Sequence, residues 1–226
     1  MKVKFTNFPK EFKVLKKELF KKFNTICLKG EYVLGKELKD FEKNIQKFLK
    51  VKHALGVGNW TEGTIMVLKA LGYSKGDEII TVSNSFIATC GAIAYEGLVP
   101  KLVDVGQDLN IDVNEVKKKI TKKTKAIMPV HLSGIPSDLD KLKKICKKEN
   151  LDLIEDAAHA FGTKYKNNYI GAIGDVGIFS LHPRKSFHVL GDGGLIVTNN
   201  TSLYKKILLL RNHGLKNRDE SLLWGT

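Results

Sequence analysis

Short apolar runs alternate with amphipathic segments through most of this chain, and the alternation predicts its fold. Mostly apolar runs of three to five residues predict strands at 54–57, 78–82, 101–103, 126–130, 151–154, 176–180 and 194–198. Apolar positions at helical spacing predict helices between most of them, at 61–71, 86–95, 113–120 and 139–149. Nearly continuous apolar strands separated by helices are typical of a parallel sheet buried on both faces. We therefore predict an α/β fold with a mostly parallel seven-stranded sheet between helices.

The first fifty residues follow a different pattern, because they contain helical periodicity without strand-like runs. Apolar residues recur on one face over 11–23 and again over 36–49, which predicts two amphipathic helices. The segment GEYVLG at 30–35 lies between them and reads as a loop bounded by glycines. An N-terminal helical segment is therefore expected before the α/β part.

Composition and charge exclude several classes of function. With 42% hydrophobic and 27% charged residues, the chain resembles an ordinary globular protein and has no apolar run long enough to span a bilayer. The net charge of +14 is spread along the sequence, without a basic patch interleaved with aromatic residues. It predicts a solvated surface that attracts anionic metabolites rather than nucleic acid. Three widely spaced cysteines and the absence of a secretory signal predict a reduced, cytoplasmic protein without a metal site.

Polar residues and one aromatic residue follow the first two predicted strands, where ligands gather in parallel sheets. The segment GNWTEG at 58–63 opens a helix, whose free N–H groups and positive dipole end suit a phosphate, with Thr61 as a hydroxyl donor. The alternative is that Asn59 or Thr61 only caps the helix. After the second strand, Phe86 begins a helix and can stack on a flat ligand ring, although an aromatic residue there is usually part of the core.

An acidic pair follows the predicted strand at 151–154. This pair, Glu155 and Asp156, opens the segment EDAAHA at 155–160. A carboxylate at the end of a buried strand destabilises the fold unless it has a cationic partner. A pyridinium N–H would be such a partner for Asp156, and His159 can reach the same ligand. The alternative is that Glu155 and Asp156 cap a following helix.

The segment FSLHPRKSFHVLGDGG at 179–194 carries a lysine on a loop between two predicted strands. Lys185 is a candidate carbonyl-trapping amine, since burial lowers the pKa of a lysine and frees its lone pair. Ser180, at the end of the strand, is a candidate phosphate donor. A phosphate cradle, a stacking ring, a buried acid and a loop lysine are together what pyridoxal phosphate requires. The sequence therefore predicts a site for pyridoxal phosphate at this edge of the sheet.

The motifs, in this order, resemble the DegT/DnrJ/EryC1/StrS family of pyridoxal-phosphate-dependent sugar aminotransferases, which have fold type I. The resemblance rests on EDAAH, HPRK followed by GDGG, and RNHG, and on supporting segments at 30–35, 56–71, 85–89 and 129–134. It implies that residues 1–226 comprise an N-terminal segment and the large cofactor-binding domain. The small C-terminal domain of longer members would be absent, the alternative being a natural short form.

The resemblance implies a role for each matching residue. Lys185 would form the Schiff base and move the proton, Asp156 would pair with the pyridine nitrogen, and Phe86 would stack on the ring. His159 would lie near the phenolic oxygen of the cofactor. Three residues fall in the phosphate-binding segments: Thr61, Glu62 and Ser180. Trp60 departs from the common pattern, because a small residue usually stands there, and implies a phosphate loop that packs differently.

The resemblance also implies a reaction. An amino group would pass from L-glutamate to a nucleotide-linked keto sugar in a homodimer, and the form HPRK…HVLGDGG favours dTDP-linked 3-keto-6-deoxyhexoses. Two alternatives stay open: a sugar dehydratase that uses pyridoxamine phosphate, and a regulator that binds the cofactor without turnover. Lys185 argues against the dehydratase, in which histidine replaces the lysine, although His182 and His188 are close in sequence.

Overall fold

The computed structural model of the protein describes residues 6–225, so residues 1–5 and Thr226 of the predicted domain lie outside it. Its helices are α1 (Phe8–Lys29), α2 (Lys36–Leu49), α3 (Trp60–Leu71), α4 (Ala88–Tyr95), α5 (Val113–Lys119), α6 (Leu139–Glu149) and α7 (Thr201–Leu210). The strands are β1 (His53–Val57), β2 (Glu78–Val82), β3 (Val99–Val103), β4 (Thr124–Ile127), β5 (Asp152–Asp156), β6 (Lys164–Tyr165), β7 (Asn168–Tyr169), β8 (Val176–Ser180) and β9 (Gly194–Thr198). The chain forms two compact units, and the first ends at Lys43 while the second begins at Asn44.

The first unit contains α1, which is longer than the apolar periodicity predicted. The Asn7 side chain accepts a hydrogen bond from the Lys10 amide, and Pro9 stands in the first turn, where its missing N–H costs nothing. Gly30 ends the helix with a left-handed φ of 69°. The helix therefore begins and ends at its capping residues, and not where the apolar pattern fades.

The second unit is built on a seven-stranded sheet in the order β1–β9–β8–β5–β4–β2–β3. β9 runs antiparallel to both of its neighbours, β1 and β8, and the other neighbouring strands pair in parallel. The predicted mostly parallel seven-stranded sheet is confirmed.

Two groups of helices cover the sheet. α3 packs with α4 and α7, and it contacts β8 and β9, whereas α5 and α6 pack together against β3, β4 and β5. Every residue of β8 and β9 is buried, as their near-continuous apolar sequences predict. The carboxyl ends of β1, β2, β5 and β8 lead into the segments that carry the predicted site residues.

β5 extends further than its apolar run. The sequence predicted a strand at 151–154, but Glu155 and Asp156 continue it by pairing with Gly177 and Ile178 of β8. No helix follows, because residues 157–163 form turns and irregular backbone. The alternative that Glu155 and Asp156 cap a helix is therefore wrong.

Two features were not predicted at all. The β6–β7 hairpin has two-residue strands, too short for any periodicity to show. α7 begins after Asn200, whose side chain accepts hydrogen bonds from the amides of Ser202 and Leu203. A cap of this kind is a helix-start signal that the sequence does contain.

Within residues 6–225, no helix is both long enough and apolar enough to cross a bilayer. The same part of the chain contains no cluster of three His, Cys, Asp or Glu side chains able to hold a metal ion. Cys27, Cys90 and Cys146 are free thiols.

Candidate active site

One cavity of about 980 Å³ lies at the carboxyl ends of the strands. All seven predicted site residues line it: Thr61, Glu62, Phe86, Asp156, His159, Ser180 and Lys185. They come from four different segments of the chain, which the crossovers of the sheet bring together. The structure thus assembles the predicted set, whose individual roles stay predictions.

The N-terminus of α3 forms one wall of the cavity. Asn59 caps the helix, since its side chain accepts the Glu62 amide at 2.8 Å. The capping alternative is therefore correct for Asn59, but it does not exclude a phosphate. The amides of Trp60 and Thr61 precede the first helical hydrogen bond, from Gly63 N–H to Asn59 O, and remain oriented as an anion site.

Trp60 packs inward at the first position of α3. It is buried within the hydrophobic core of the second unit, which explains how a large residue is accommodated where a small one was expected. Its indole Nε1 is buried and has no hydrogen-bond acceptor within the described part of the chain. Gly194 approaches the same loop so closely that a Cβ would lie 2.5 Å from the Asn59 carbonyl oxygen. The loop is thus fixed by close packing on β9.

Asp156 places a carboxylate in the cavity from the end of β5. It is only 3% exposed, and burial raises its pKa to about 6, although its hydrogen bonds favour the charged form. The Ala158 amide donates to Oδ1 at 3.1 Å, and the Thr89 hydroxyl donates to Oδ2 at 3.1 Å. A buried carboxylate in this state is stabilised by a cationic N–H, as the predicted pyridinium would supply.

Lys185 enters the cavity from the loop between β8 and β9. Burial lowers the pKa of its amine, and the nearby Asp156 carboxylate partly opposes this effect. Hydrogen bonds within the loop hold its backbone, from Lys185 N–H to His182 O and from Leu181 N–H to Gly193 O. A half-buried amine on a fixed loop has the properties of a lysine that reacts with carbonyl groups.

His159 lies in the turn after β5, with its ring lining the cavity. The Ser133 amide donates to Nδ1 at 3.2 Å, so that in the neutral ring the proton is on Nε2. Burial lowers the pKa of this imidazole, and the charge of Lys185 lowers it further. His159 is therefore arranged as a neutral donor at Nε2.

Phe86 and Ser180 complete the predicted set. Phe86 lies just before α4 and is 77% exposed, so the alternative that it belongs to the core is wrong. An exposed ring at the rim of a cavity is free to stack on a flat ligand. Ser180 is buried at the end of β8, and its Oγ accepts the His182 amide at 3.4 Å. Its hydroxyl proton remains available to a ligand.

Glu155 has a structural role that the sequence did not indicate. Its fully buried carboxylate accepts the amides of Gly171, Ile173 and Gly174 at 2.6–2.8 Å. His131 contacts the same carboxylate through Nε2 at 3.2 Å, while the Ser137 amide donates to its Nδ1. Because neighbouring residues of a strand point to opposite faces, Glu155 holds a loop while Asp156 faces the cavity.

Several cavity residues were not singled out as site residues. They include Lys69, Tyr95, His182, Arg184 and Asp192. Arg184 and Asp192 lie inside the quoted motif at 179–194, which was a usable signal for them. Lys69 and Tyr95 lie on α3 and α4, and nothing in their local sequence distinguishes them from surface residues.

The residues present fit pyridoxal phosphate. Free first-turn amides and two hydroxyls suit its phosphate, a buried carboxylate suits its ring nitrogen, and an amine of lowered pKa suits its carbonyl. Thr61 and Ser180 would hold the phosphate, Asp156 the ring nitrogen and Lys185 the carbonyl carbon. Phe86 would cover the ring.

The raised pKa of Asp156 predicts a pH-dependent stability of the cofactor-free protein. Between about pH 4 and 6 the folded state binds a proton that the unfolded state releases, so the free energy of unfolding falls as pH rises. The free energy of unfolding of wild type, taken relative to that of Asp156→Asn, should fall by about 3 kcal/mol across this window. Above the window the difference between the two proteins should stay constant. Urea unfolding of both proteins at pH 4, 5, 6 and 7 measures the difference. A difference that does not change with pH would contradict the prediction.

Comparison with known proteins places the chain in a family. Residues 13–226 match the DegT/DnrJ/EryC1/StrS aminotransferase family. A pleiotropic regulatory protein of Geobacillus stearothermophilus is 36% identical over 96% of this chain and 58% of its own length. The dTDP-3-amino-3,4,6-trideoxy-alpha-D-glucose transaminase of Streptomyces venezuelae is 34% identical over 96% of this chain and 58% of its own length. The chain thus spans less than two thirds of these relatives.

Solved structures agree with this assignment. The crystal structure of DesV from S. venezuelae, in complex with a ketimine intermediate, superimposes with a TM-score of 0.96 at 34% identity, over 99% of this chain and 61% of that one. Other solved relatives contain pyridoxamine phosphate or hydrated pyridoxal phosphate, and the predicted cofactor is thereby confirmed for the family. The predicted large-domain fold of type I is likewise confirmed. This chain belongs to the DegT/DnrJ/EryC1/StrS aminotransferase family.

Proposed function

We propose that this chain provides the pyridoxal phosphate site of an aminotransferase that moves an amino group from L-glutamate to a nucleotide-linked keto sugar. The observation that carries the proposal is the position of Lys185. Its half-buried amine, with a lowered pKa, lines the same cavity as the buried Asp156 carboxylate. An amine and an acid so arranged are what amino-group transfer on this cofactor requires.

Bound pyridoxal phosphate supplies the carbonyl that carries the amino group and the ring that withdraws electrons. The protein supplies the rest. Asp156 keeps the proton on the ring nitrogen, because its buried carboxylate gains most from a cationic partner. Lys185 would take up and return a proton at Nζ, and its lowered pKa makes the amine a better base-and-acid pair for this role than an exposed lysine. Neutral His159, whose Nδ1 accepts the Ser133 amide, would offer its Nε2 proton to the phenolic oxygen.

A nucleotide-linked sugar is the substrate class that relatives support. Similar proteins are named as transaminases of dTDP-linked amino sugars. The cations of Lys69 and Arg184 line the cavity and are the candidate contacts for the diphosphate of such a substrate, although the carboxylates of Glu96 and Asp192 line it too. We propose dTDP-linked 3-keto-6-deoxyhexoses as the acceptor, in agreement with the motif at 182–194.

A homodimer is part of this proposal. Large apolar side chains are exposed on segments that contribute to the cavity: Tyr95, 76% exposed, lines it, Ile87, 74% exposed, follows Phe86, and Leu190, 77% exposed, lies on the loop that carries Lys185. Exposed apolar residues grouped near a site are typical of surfaces that associate. Sedimentation of the protein at several concentrations tests this part.

The cofactor-loaded protein tests the proposed reaction. Adding L-glutamate should bleach the visible absorbance band of the bound cofactor and release one equivalent of 2-oxoglutarate per site. A dTDP-linked 3-keto-6-deoxyhexose should then restore the band. In the control, D-glutamate added in place of L-glutamate should leave the original band unchanged. A band that persists in saturating L-glutamate would contradict an aminotransferase and support a regulator, which the name of one relative favours.

A dehydratase is the other candidate. One structural relative is a GDP-4-keto-6-deoxy-D-mannose-3-dehydratase, and His182 of this chain lines the cavity. Lys185 argues against it, since a lysine retains the cofactor covalently. With a nucleotide-linked 4-keto-6-deoxyhexose in place of the 3-keto sugar, a product that has lost water and carries no amino group would identify a dehydratase.

A further inference from the structure

Among the described residues, one side chain donates a hydrogen bond to the carboxylate of Asp156, and it comes from α4. Thr89 is 2% exposed, and its Oγ1 donates to Asp156 Oδ2 at 3.1 Å. Within residues 6–225, the only other hydrogen bond to this carboxylate is donated by the Ala158 amide, to Oδ1. These two bonds use about half of the acceptor positions of a carboxylate, so a ring N–H can still bind.

Thr89 also connects the acid to the predicted stacking ring. Its backbone N–H donates to the Phe86 carbonyl at 3.0 Å, in the turn that begins α4. Phe86 and Asp156 lie on separate segments, yet the first turn of α4 holds both through this one residue. A shift of α4 would therefore move the ring-facing residue and the acid together.

We propose that Thr89 is a positioning residue of this site, whose hydroxyl fixes the Asp156 carboxylate and keeps it ionised for the ring nitrogen of the cofactor. The proposal rests on the cofactor site described under the proposed function. A hydroxyl is suited to this role, because it donates to the ionised carboxylate while adding no charge that would compete with the ring N–H.

Other groups around Asp156 cannot replace this hydrogen bond. Lys185, on the loop after β8, acts on the carboxylate through its charge and lowers its pKa. His131 is already bonded to Glu155 and to the Ser137 amide. Removing the Thr89 hydroxyl should therefore raise the pKa of Asp156 further, since one hydrogen bond to the charged form is lost.

Thr89→Val removes the hydroxyl and keeps the shape of the side chain. We expect the dissociation constant for pyridoxal phosphate, measured from the absorbance band, to rise about 10-fold or more. In the cofactor-free variant, the upper end of the pH window in which the free energy of unfolding falls should move to higher pH, while its lower end, set by the unfolded chain, stays in place. Thr89→Ser restores the hydroxyl and should return both values to those of wild type.

Thr81→Val is the matched control. Thr81 is as buried as Thr89, but its hydroxyl donates to the Met128 carbonyl at 2.8 Å. Its replacement should lower stability without changing cofactor affinity or the pH window. The proposal is overturned if Thr89→Val behaves like Thr81→Val in both measurements. If Thr89→Val does not fold, Thr89→Ala should give the same two changes.

The two measurements separate this proposal from the proposed reaction. Cofactor affinity does not depend on whether glutamate donates an amino group, so a protein that binds without turnover still tests Thr89. The pH window is measured without cofactor, so it tests the coupling of Thr89 to Asp156 even in a protein that binds none.

Discussion

Lys185→Ala is expected to reduce amino-group transfer by at least about 10³-fold, because it removes both the carbonyl-binding amine and the proton carrier at this position. The visible absorbance band that the bound cofactor owes to the Lys185 amine should not appear when pyridoxal phosphate is added to the variant. Pyridoxal phosphate should still bind, since the phosphate and ring contacts remain. Absorbance spectra and single-turnover rates with L-glutamate measure these effects.

Lys148→Ala is the matched control for Lys185. Its ammonium group is exposed and lies 3.1 Å from the Glu149 carboxylate. Neither residue lines the cavity. The spectrum and rate of this variant should equal those of wild type. A Lys185→Ala protein that keeps the unchanged band would show that another amine holds the cofactor.

Glu155→Ala is expected to lower the free energy of unfolding by about 3–5 kcal/mol, the cost typical of removing one partner from a buried polar network. The change leaves the amides of Gly171, Ile173 and Gly174 without their acceptor, beside a side-chain position that is fully buried. It also leaves the Nε2 proton of His131 without a partner. Urea unfolding measures the loss.

Two variants make the Glu155 result specific. Glu149→Ala removes an exposed carboxylate on α6 and should change stability by less than about 0.5 kcal/mol. Glu155→Gln keeps one acceptor oxygen and should fall between alanine and wild type. Equal losses in Glu155→Ala and Glu149→Ala would show that the buried network does not stabilise the fold.

Glu155 and the adjacent Asp156 are expected to respond differently to substitution. Asp156 faces the cavity and is expected to act on the cofactor, whereas Glu155 faces a loop and is expected to act on folding. A variant of Asp156 should therefore change cofactor binding more than stability at neutral pH. The alternation of side chains along β5 separates the two roles.

The sequence by itself determined the strand and helix pattern of the second unit, except for the β6–β7 hairpin and α7. Nearly continuous apolar strands must be buried on both faces, so a parallel sheet between helices is the arrangement that satisfies them. Three strands, Glu78–Val82, Val176–Ser180 and Gly194–Thr198, begin and end where their apolar runs do. The candidate residues were also readable, because ligand groups follow the carboxyl ends of such strands.

Only the tertiary structure decided what the polar residues do. Glu155 and Asp156 are indistinguishable as an acidic pair in sequence, and pairing of β5 with β8 sends one to a loop and the other to the cavity. Thr89 lies 67 residues from Asp156, so their hydrogen bond has no local signal. The lowered pKa of Lys185 likewise arises from burial among segments distant in the chain. Local sequence sets the elements, but burial and long-range contacts set the chemistry.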